Sequence, residues 1–329
     1  MSNILVTGGA GYIGSHTSLM LVNAGHDVVV LDNLYSGYRW AVPSGAVFYE
    51  GDINDTDLLR TLIKRHDIDS VVHFAGYVVV PESVDDPGKY YNNNVVASLG
   101  LIQTCIESQV PNFVFSSSAA VYGNPQTPRV NETVSTEPIN PYGRSKLITE
   151  WTLQDLEFAN QGEFRYVALR YFNVAGAHTG GQLGQATRNA THLIKVACEA
   201  ACQKRPGMAI FGEDYDTPDG SCIRDYIHVE DLALAHLDAL NYLSEGRGST
   251  VVNCGYGHGF SVKDVIESVK RVSGQDFPVD IQARRAGDPA SLIADNGKIR
   301  SLFEWEPRLD DLDTICLTAY EWERTFQKK

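Results

Sequence analysis

Residues 4–14 read Ile-Leu-Val-Thr-Gly-Gly-Ala-Gly-Tyr-Ile-Gly, an apolar run followed by a glycine-rich turn. Glycines stand at positions 8, 11 and 14, and Gly9-x-Gly11-x-x-Gly14 also fits the dinucleotide-binding fingerprint. Glycine permits the tight turn, the approach of the backbone to a pyrophosphate and close packing of helix on strand. The N-terminus of the following helix favours negative charge. The stretch therefore predicts a strand–turn–helix unit that binds a dinucleotide.

An acidic residue ends the next strand pattern. Asp32 follows Asp27–Leu31 and stands 32 − 14 = 18 residues after Gly14. A carboxylate about 20 residues on accepts hydrogen bonds from ribose hydroxyls and repels a 2′-phosphate, which favours NAD over NADP. The alternative is a glycine turn beside a solvated carboxylate. Asp52, at the end of the third strand pattern, could accept from the adenine amino group or could be a turn residue that initiates a helix.

Strand and helix patterns alternate through the first half of the chain, which predicts βαβ units and a Rossmann-type doubly wound parallel α/β sheet. Nearly continuous apolar runs, typical of strands covered on both faces, occur at Ile4–Thr7, Asp27–Leu31, Val47–Tyr49, Ser70–Phe74, Asn112–Ser116 and Tyr166–Arg170. Helical patterns occur at Tyr12–Ala24, Asp55–Arg65, Tyr90–Ser108 and Tyr142–Asn160. We expect an NAD-binding domain over 1–176 and a smaller mixed α/β substrate domain over 177–329. The segment 224–242 could pack back on the first domain.

Composition excludes several classes of protein. With 27 basic and 41 acidic side chains the net charge is −14, which argues against a nucleic-acid partner. No apolar run approaches the roughly 20 residues of a membrane helix, and no signal peptide is evident, so we expect a cytoplasmic protein. The scattered cysteines predict reduced thiols and no metal site.

Tyr142 and Lys146 stand at i and i+4, on one face of a helical pattern that Pro141 introduces. A free tyrosine has a pKa of about 10 and is a poor base at neutral pH. A neighbouring ammonium and a cationic nicotinamide would favour the phenolate and lower that pKa. The same spacing also occurs where a surface tyrosine precedes a solvated lysine. The serines of residues 116–118 and the dinucleotide motif favour the catalytic interpretation.

The sequence resembles the extended short-chain dehydrogenase/reductase superfamily and, within it, the UDP-glucose 4-epimerases, over essentially its whole length. The matching blocks are Thr-Gly-Gly-Ala-Gly-Tyr-Ile-Gly-Ser-His (7–16), Leu-Asp-Asn-Leu (31–34), His-Phe-Ala-Gly (73–76), Ser-Ser-Ser-Ala-Ala-Val-Tyr-Gly (116–123), Arg-Tyr-Phe-Asn-Val-Ala-Gly-Ala-His (170–178), Arg-Asp-Tyr-Ile-His-Val (224–229) and Arg-Arg-Ala-Gly-Asp (284–288). Relatives that eliminate water or decarboxylate carry an acid where this chain has Ala119 and Ala120. An alanine cannot protonate a leaving hydroxyl, so dehydratase chemistry is disfavoured. A 4-epimerase of UDP-glucuronate or UDP-N-acetylglucosamine is the alternative, although residues 173–177 resemble the glucose/galactose enzyme better.

The resemblance implies an enzyme that interconverts UDP-glucose and UDP-galactose through a 4-keto sugar with tightly bound NAD. Tyr142 would be the base at the sugar 4-hydroxyl, Lys146 would tune it and hold the nicotinamide ribose, and Ser118 would hydrogen-bond the 4-oxygen. The implied cofactor-binding residues are Gly8, Gly11, Tyr12, Ile13, Gly14, Asp32, Asn33, Ser36, Gly37, Asp52, Ile53, Phe74, Ala75, Gly76, Asn93, Tyr142, Lys146 and Phe172.

The same resemblance implies the UDP-sugar contacts. Asn173, Arg224 and Arg285 would meet the diphosphate and Asp288 the uridine ribose. Read without the motif match, each arginine is a solvated or structural charge. The implied contacts also include Ser118 and Tyr142 at the sugar, Ala209-Ile210-Phe211 along the uracil, and Leu193.

Three positions depart from the family pattern. Val78 stands where some members have a lysine near the nicotinamide. His192 replaces an asparagine and is either a diphosphate ligand or a histidine on a helix face. Leu292 stands where residue size beside the sugar varies, or else belongs to a buried strand.

Two of the helical patterns are apolar on more than one face, which predicts either deep burial or a homodimer interface. The apolar positions are Val95, Leu99, Ile102 and Ile106 in one helix and Leu147, Ile148, Trp151 and Leu156 in the other. The family resemblance favours the homodimer.

Overall fold

A seven-stranded parallel sheet forms the centre of the computed structural model, which describes residues 1–188, 190–285 and 288–326. Across the sheet the strands are β12 (Thr250–Cys254), β7 (Arg165–Tyr171), β5 (Asn112–Ser116), β4 (Ser70–His73), β1 (Asn3–Thr7), β2 (Asp27–Asp32) and β3 (Val47–Glu50). The strand order reverses between β1 and β4. Ligands of open α/β sheets bind at such a switch point, outside the carboxyl ends of the strands.

Helices cover both faces of this sheet. Helix α1 (Tyr12–Asn23) and helix α8 (Val229–Ser244) pack on one face, and α2 (Thr56–Arg65), α5 (Ser98–Glu107) and α6 (Pro141–Ala159) pack on the other. Strand β1 shows the alternation, since Ile4 and Val6 join the first core while Leu5 joins the second. The sheet therefore has an apolar core on each face, which confirms the doubly wound sheet predicted from the sequence.

Smaller sheets and helices complete the molecule. One sheet contains β13 (Phe260–Ser261), β10 (Ile223–Arg224), β15 (Ser291–Ala294) and β6 (Arg129–Val130). Two parallel pairs join β11 (Tyr226–His228) to β8 (Asn173–Ala175) and β14 (Val279–Gln282) to β9 (Met208–Phe211). The further helices are α3 (Val80–Asp85), α4 (Pro87–Tyr91), α7 (Leu193–Ala201), α9 (Val262–Ser273), α10 (Gly297–Leu302) and α11 (Leu312–Thr325), and short 3₁₀ turns cover Arg39–Ala41 and Ala119–Tyr122.

The structure corrects two expectations about the elements. The helix predicted over Tyr90–Ser108 consists of α4, a π-helical segment at Asn92–Ala97, and α5. Within the π segment the buried Asn94 exchanges hydrogen bonds with the backbone of Tyr77, an interaction that sequence periodicity does not reveal. Sequence patterns also missed β12, which extends the sheet beside β7 from far along the chain.

Neither a membrane-spanning helix nor a metal cluster occurs among the described residues. No helix in those ranges is long and apolar enough to cross a bilayer. The same ranges contain no group of three or more His, Cys, Asp or Glu side chains that could hold a metal ion.

Candidate active site

The glycine turn after β1 leaves no room for side chains. Gly8 has φ +72°, and a Cβ there would lie 2.6 Å from the amide nitrogen of Ala75. A Cβ at Gly14 would overlap the carbonyl oxygen of Gly8. Gly11 is the N-cap of α1 and offers no capping side chain to the first amide groups of the helix. The turn therefore forms a backbone cradle at a helix N-terminus, the kind of site that fits the pyrophosphate of a dinucleotide.

Asp32 joins this cradle to the loop that follows β2. Its carboxylate accepts from the amides of Ala10 at 2.9 Å and Leu34 at 2.8 Å. Burial raises the pKa of this carboxyl group. Gly37 lies against Ala10, because a Cβ at residue 37 would be 2.9 Å from the Ala10 carbonyl carbon. Asp32 thus lies at the carboxyl end of β2, one strand from the switch point, with its backbone partners already in place.

Asp52 lies near this loop without capping a helix. Its carboxylate accepts from the side chain of Asn33 at 2.8 Å and from the backbone of Asn54 at 2.9 Å. The N-cap of α2 is Asp55, which accepts from Leu58 at 2.9 Å. The interpretation of Asp52 as the residue that begins the helix is therefore wrong, although it does form a turn with Asn54.

The other residues predicted to bind the cofactor differ in their exposure to solvent. Ile53 is buried and Ser36 is exposed. Ile13 is half-buried, and the neighbouring Tyr12 donates its hydroxyl to the carbonyl of Gly176 at 2.6 Å. The Tyr12 side chain therefore ties the glycine turn to the end of β8.

The end of β4 lies between the cradle and α6. Phe74 and Ala75 donate their amides to the carbonyl of Thr7, at 2.9 and 3.1 Å. A Cβ at Gly76 would lie 3.8 Å from the ammonium of Lys146, so this segment adjoins the candidate catalytic residues. Asn93 donates to Asn94 at 3.0 Å, on the side where Asn94 holds residue 77.

Ser118, Tyr142 and Lys146 meet where β5 ends. All three side chains are nearly buried. Burial raises the pKa of the Tyr142 phenol, and the nearby Ser118 hydroxyl lowers it. The ammonium of Lys146 donates to the carbonyl of Ser116 at 2.7 Å, and burial lowers its pKa to about 8. The structure therefore brings together the three residues that the sequence analysis selected for catalysis.

Helix α6 begins where it does because Asn140 accepts from the amide of Gly143 at 2.8 Å and Pro141 occupies the first helical position. Gly143 brings the helix close to the 3₁₀ turn, since a Cβ there would be 2.6 Å from the carbonyl oxygen of Ala120. This close approach sets Tyr142 against the strand end that carries Ser118.

A separate pocket is lined by Asn173, His192 and Leu193, together with Gln185 and Tyr226. The ring of His192 contacts Gln185, with 3.0 Å between Nδ1 and Nε2. His192 is the exposed N-cap of α7 and makes no capping bond with its side chain. His192 thus lines a pocket at the start of α7, and its role as a diphosphate ligand stays a prediction.

The two arginines predicted to meet the diphosphate have different neighbours in the structure. Arg224 on β10 approaches the carboxylate of Asp288 at 3.7 Å. The guanidinium of Arg285 lies 3.7 Å from the centre of the Phe211 ring. Of the block 284–288, Ala286 and Gly287 lie outside the described residues.

Strand β9 separates the three residues predicted to line the uracil. Ala209 and Phe211 are partly exposed, whereas the side chain of Ile210 lies in the main core with Met208. Alternate residues of a strand point to opposite faces, so the side chain of Ile210 does not share the face of Ala209 and Phe211, and the contact of this segment with the uracil stays a prediction. The face of Ala209 and Phe211 is the one available to a base.

Leu292 lies next to the candidate catalytic end of the sheet. It packs against a small apolar cluster that includes Ala119, Leu147 and Phe172. Its neighbour across the strands is Arg224. Leu292 is thus only partly buried, between the cluster that contains Ala119 and the strand that carries Arg224.

Val78 is half-exposed, and a cation lies beside the same segment. The ammonium of Lys89 on α4 stands 4.5 Å from the centre of the Tyr77 ring and donates to the Tyr35 hydroxyl at 2.8 Å. It also pairs with Glu82 at 2.5 Å.

Sequence analysis missed a buried ion pair directly behind the catalytic residues. Glu150, one helical turn after Lys146, binds Arg170 of β7 and the hydroxyl of Ser117. The spacing from Tyr142 to Lys146 to Glu150 is four and four, so the position of Glu150 on the same helix face was visible in the sequence. Nothing in the sequence indicated its partners on two other strands.

Known proteins resemble the chain over nearly its full length. Residues 4–255 match the NAD dependent epimerase/dehydratase family. The chain is 51% identical over 325 residues to a UDP-glucose 4-epimerase of Azospirillum brasilense, covering 99% of this chain and 93% of that protein. The crystal structure of UDP-glucose 4-epimerase from Brucella ovis in complex with NAD has a TM-score of 0.95 and 44% identity, covering 98% of this chain and 99% of the other. The UDP-Glc/GlcNAc 4-epimerase of Campylobacter jejuni has a TM-score of 0.87 and 52% identity, covering 99% and 100%.

The match over residues 4–255 spans the glycine turn, the acid after β2 and the Tyr142–Lys146 pair. It agrees with the sheet order, in which these residues lie around the switch point. The chain therefore belongs to the NAD dependent epimerase/dehydratase family.

Proposed function

We propose that this chain is a UDP-glucose 4-epimerase that interconverts UDP-glucose and UDP-galactose through a 4-keto sugar. The observation that carries the proposal is the meeting of Ser118, Tyr142 and Lys146 beside a dinucleotide cradle. The alanines at 119 and 120, where the family resemblance implies an acid in dehydratases, support an epimerase. The names of the similar proteins support the same substrate pair.

The cradle of Gly8, Gly11 and Gly14, with Asp32 beside it, would hold NAD. The cofactor supplies oxidation and then reduction at C4 of the sugar. The protein's task is to bind, to orient and to move one proton. Burial raises the pKa of Tyr142, and the Ser118 hydroxyl lowers it. The ammonium of Lys146, on the same helix face, would further favour the phenolate.

Tyr142 takes the proton from the 4-hydroxyl and returns it after the sugar has turned. Ser118 holds the 4-oxygen, and Lys146 keeps a positive charge near the phenolate throughout. The hexose must present both faces of C4, so the protein has to grip the nucleotide and leave the sugar free.

Residues remote from C4 of the sugar would bind the nucleotide. Arg224 and Arg285 carry the donor geometry suited to a diphosphate, and Asn173 and His192 line a pocket next to Tyr226. Asp288 would accept from the uridine ribose, and Phe211 offers its ring to the base. Binding energy at the nucleotide thereby holds an intermediate that the sugar site itself grips loosely.

The same proposal includes the assembly and its setting. We assign NAD binding to 1–176, together with the returning α8 and β12, and UDP-sugar binding mainly to 177–329. Of the apolar positions predicted for an interface, Ile102 and Leu147 are buried in the cores, whereas Trp151 is 53% exposed. Val96, on the adjoining helical segment, is 59% exposed, and the two form an apolar surface suited to a homodimer. The protein would act in the cytoplasm.

The alternatives are 4-epimerisation of UDP-N-acetylglucosamine or of UDP-glucuronate. The former has one supporting observation, the 52% identity to a UDP-Glc/GlcNAc 4-epimerase. We propose it as a weaker second activity, which depends on the size of the residue at 292.

The test is to assay purified protein on UDP-galactose without added cofactor, and to measure NAD released on denaturation. We expect turnover and close to one NAD per chain. Strict dependence on added NAD with accumulation of NADH would instead identify a net dehydrogenase. NAD binding without turnover of any UDP-hexose would identify a non-catalytic protein.

A further inference from the structure

Three residues on one face of α6 contact three consecutive serines at the end of β5. Tyr142 interacts with Ser118, and Lys146 donates to the carbonyl of Ser116 at 2.7 Å. One turn further on, the carboxylate of Glu150 accepts from the hydroxyl of Ser117 at 2.5 Å. The first two contacts belong to the proposed catalytic group, whereas no role has been given to Glu150.

Glu150 and Arg170 form a buried ion pair. Their side chains are 4% and 7% exposed, and the guanidinium meets the carboxylate through Nε at 2.9 Å and Nη2 at 2.5 Å. Arg170 also donates to Tyr122 at 3.1 Å, and Tyr122 donates to Asn253 of β12 at 2.7 Å. The pair thereby connects α6 to β5, β7 and β12.

The charged groups around Lys146 form a series of alternating sign. Glu150 lies on the same helix face, and Arg170 lies beyond it on β7. Facing Lys146 from β4 is His73, whose bonds to Thr7 and Ser98 and whose pKa, lowered by burial to about 3, make it neutral. Tyr166 of β7 is also neutral, because burial raises its pKa to about 12. Glu150 is thus the negative charge closest along the helix to Lys146.

We propose that Glu150 is a positioning residue of this active site. It fixes Ser118 by holding the neighbouring Ser117, and its negative charge keeps Lys146 in the ammonium form that the phenolate of Tyr142 requires. This inference rests on the proposed function, since it takes Ser118, Tyr142 and Lys146 as the reacting group.

Two substitutions test the charge of Glu150 and its hydrogen bond to Ser117 separately. Glu150→Gln keeps the shape and removes the charge, while Ser117→Ala keeps the charge and removes the hydrogen bond. Burial lowers the pKa of Lys146 to about 8, and Glu150 opposes that shift, so losing Glu150 lowers this pKa further. An ion of opposite sign within about 4–6 Å shifts a pKa by about one to three units.

The experiment measures kcat and KM against pH for both variants and wild type, with NAD content as a second readout. For Glu150→Gln we expect the alkaline fall of kcat to move down by at least about one pH unit, with KM and NAD content unchanged. For Ser117→Ala we expect kcat to fall about tenfold with the alkaline limb in place. The matched control is Glu157→Gln on the same helix, which should behave as wild type.

Removing one partner of a buried pair can prevent folding, so the double variant Glu150→Gln with Arg170→Met provides an uncharged alternative. A folded Glu150→Gln variant with wild-type kcat and an unmoved limb would overturn the charge role. If Glu150→Gln does not fold, the double variant is compared with Arg170→Met, which keeps the carboxylate, and an alkaline limb at the same pH in both would overturn the charge role. Wild-type kcat in Ser117→Ala would overturn the positioning role. Absence of epimerisation by the wild-type chain contradicts the proposed function instead, which keeps the two failures distinct.

Discussion

Replacing Tyr142 by phenylalanine removes one oxygen atom and keeps the ring that packs at the end of β5. Without the phenol no group remains to take the proton of the sugar 4-hydroxyl, so we expect kcat to fall by about a hundredfold or more. The glycine cradle is untouched, and NAD content should stay at the wild-type level. Steady-state kinetics with NAD quantification checks both expectations.

The matched control for this variant is Tyr49→Phe. Tyr49 lies on the edge strand β3, where its hydroxyl bonds the ring of His66 at 2.9 Å, away from the site. This control should retain full activity. If Tyr142→Phe keeps more than about a tenth of the wild-type rate, the base is another residue.

Leu292→Tyr tests which sugars the pocket admits. Leu292 packs beside Ala119 and Phe172, so a larger side chain would occupy space next to Ser118. Misfit of a few atoms in a packed site costs about 1–3 kcal/mol, or roughly 10–200-fold in rate. We expect wild type to show weak but measurable activity on the N-acetylated pair, and Leu292→Tyr to suppress it selectively. Equal loss on UDP-glucose and on the N-acetylated substrate would show that residue 292 does not select.

At the scale of an element, the strand–turn–helix unit from β1 to α1 depends on its glycines. A methyl group at Gly14 would overlap the carbonyl oxygen of Gly8 and approach the Gly9 Cα at 2.9 Å, and backbone cannot move aside as a side chain can. We therefore expect Gly14→Ala to lower both NAD content and melting temperature. Gly248→Ala is the control, since a Cβ there meets nothing within 4 Å. Wild-type NAD retention in Gly14→Ala would contradict the proposed pyrophosphate cradle.

At the scale of the whole molecule, the exposed apolar surface on α6 predicts self-association. Light scattering should give about twice the chain mass of 36.2 kDa at micromolar concentration. Trp151→Glu places a charge in that surface and should shift the mass to the monomer. Leu317→Glu, at an exposed apolar residue of α11, should leave the dimer intact. A monomeric wild type would refute the interface.

Features made by residues close together in the sequence could be predicted, whereas features made by residues far apart could not. The glycine turn, Asp32 and the Tyr142–Lys146 pair are local patterns, in which spacing alone places the groups on one turn or one helix face. The side chain of Ile210 lies in the main core, which the sequence alone did not indicate because the buried face of a strand depends on the elements packed against it. The π-helical segment escaped because Asn94 is held by Tyr77, 17 residues earlier in the chain.

The amino-acid sequence sufficed for the doubly wound sheet, the dinucleotide turn and the catalytic spacing, because each follows from hydrophobic periodicity or from one backbone turn. Only the tertiary structure revealed that β12 pairs with β7 and that Arg224 lies near Asp288, 64 residues later in the chain. It also revealed the ion pair between Glu150 and Arg170. These features depend on which strands become neighbours. A buried charge is tolerated only where such neighbours supply its partner, and local sequence contains no record of that partner.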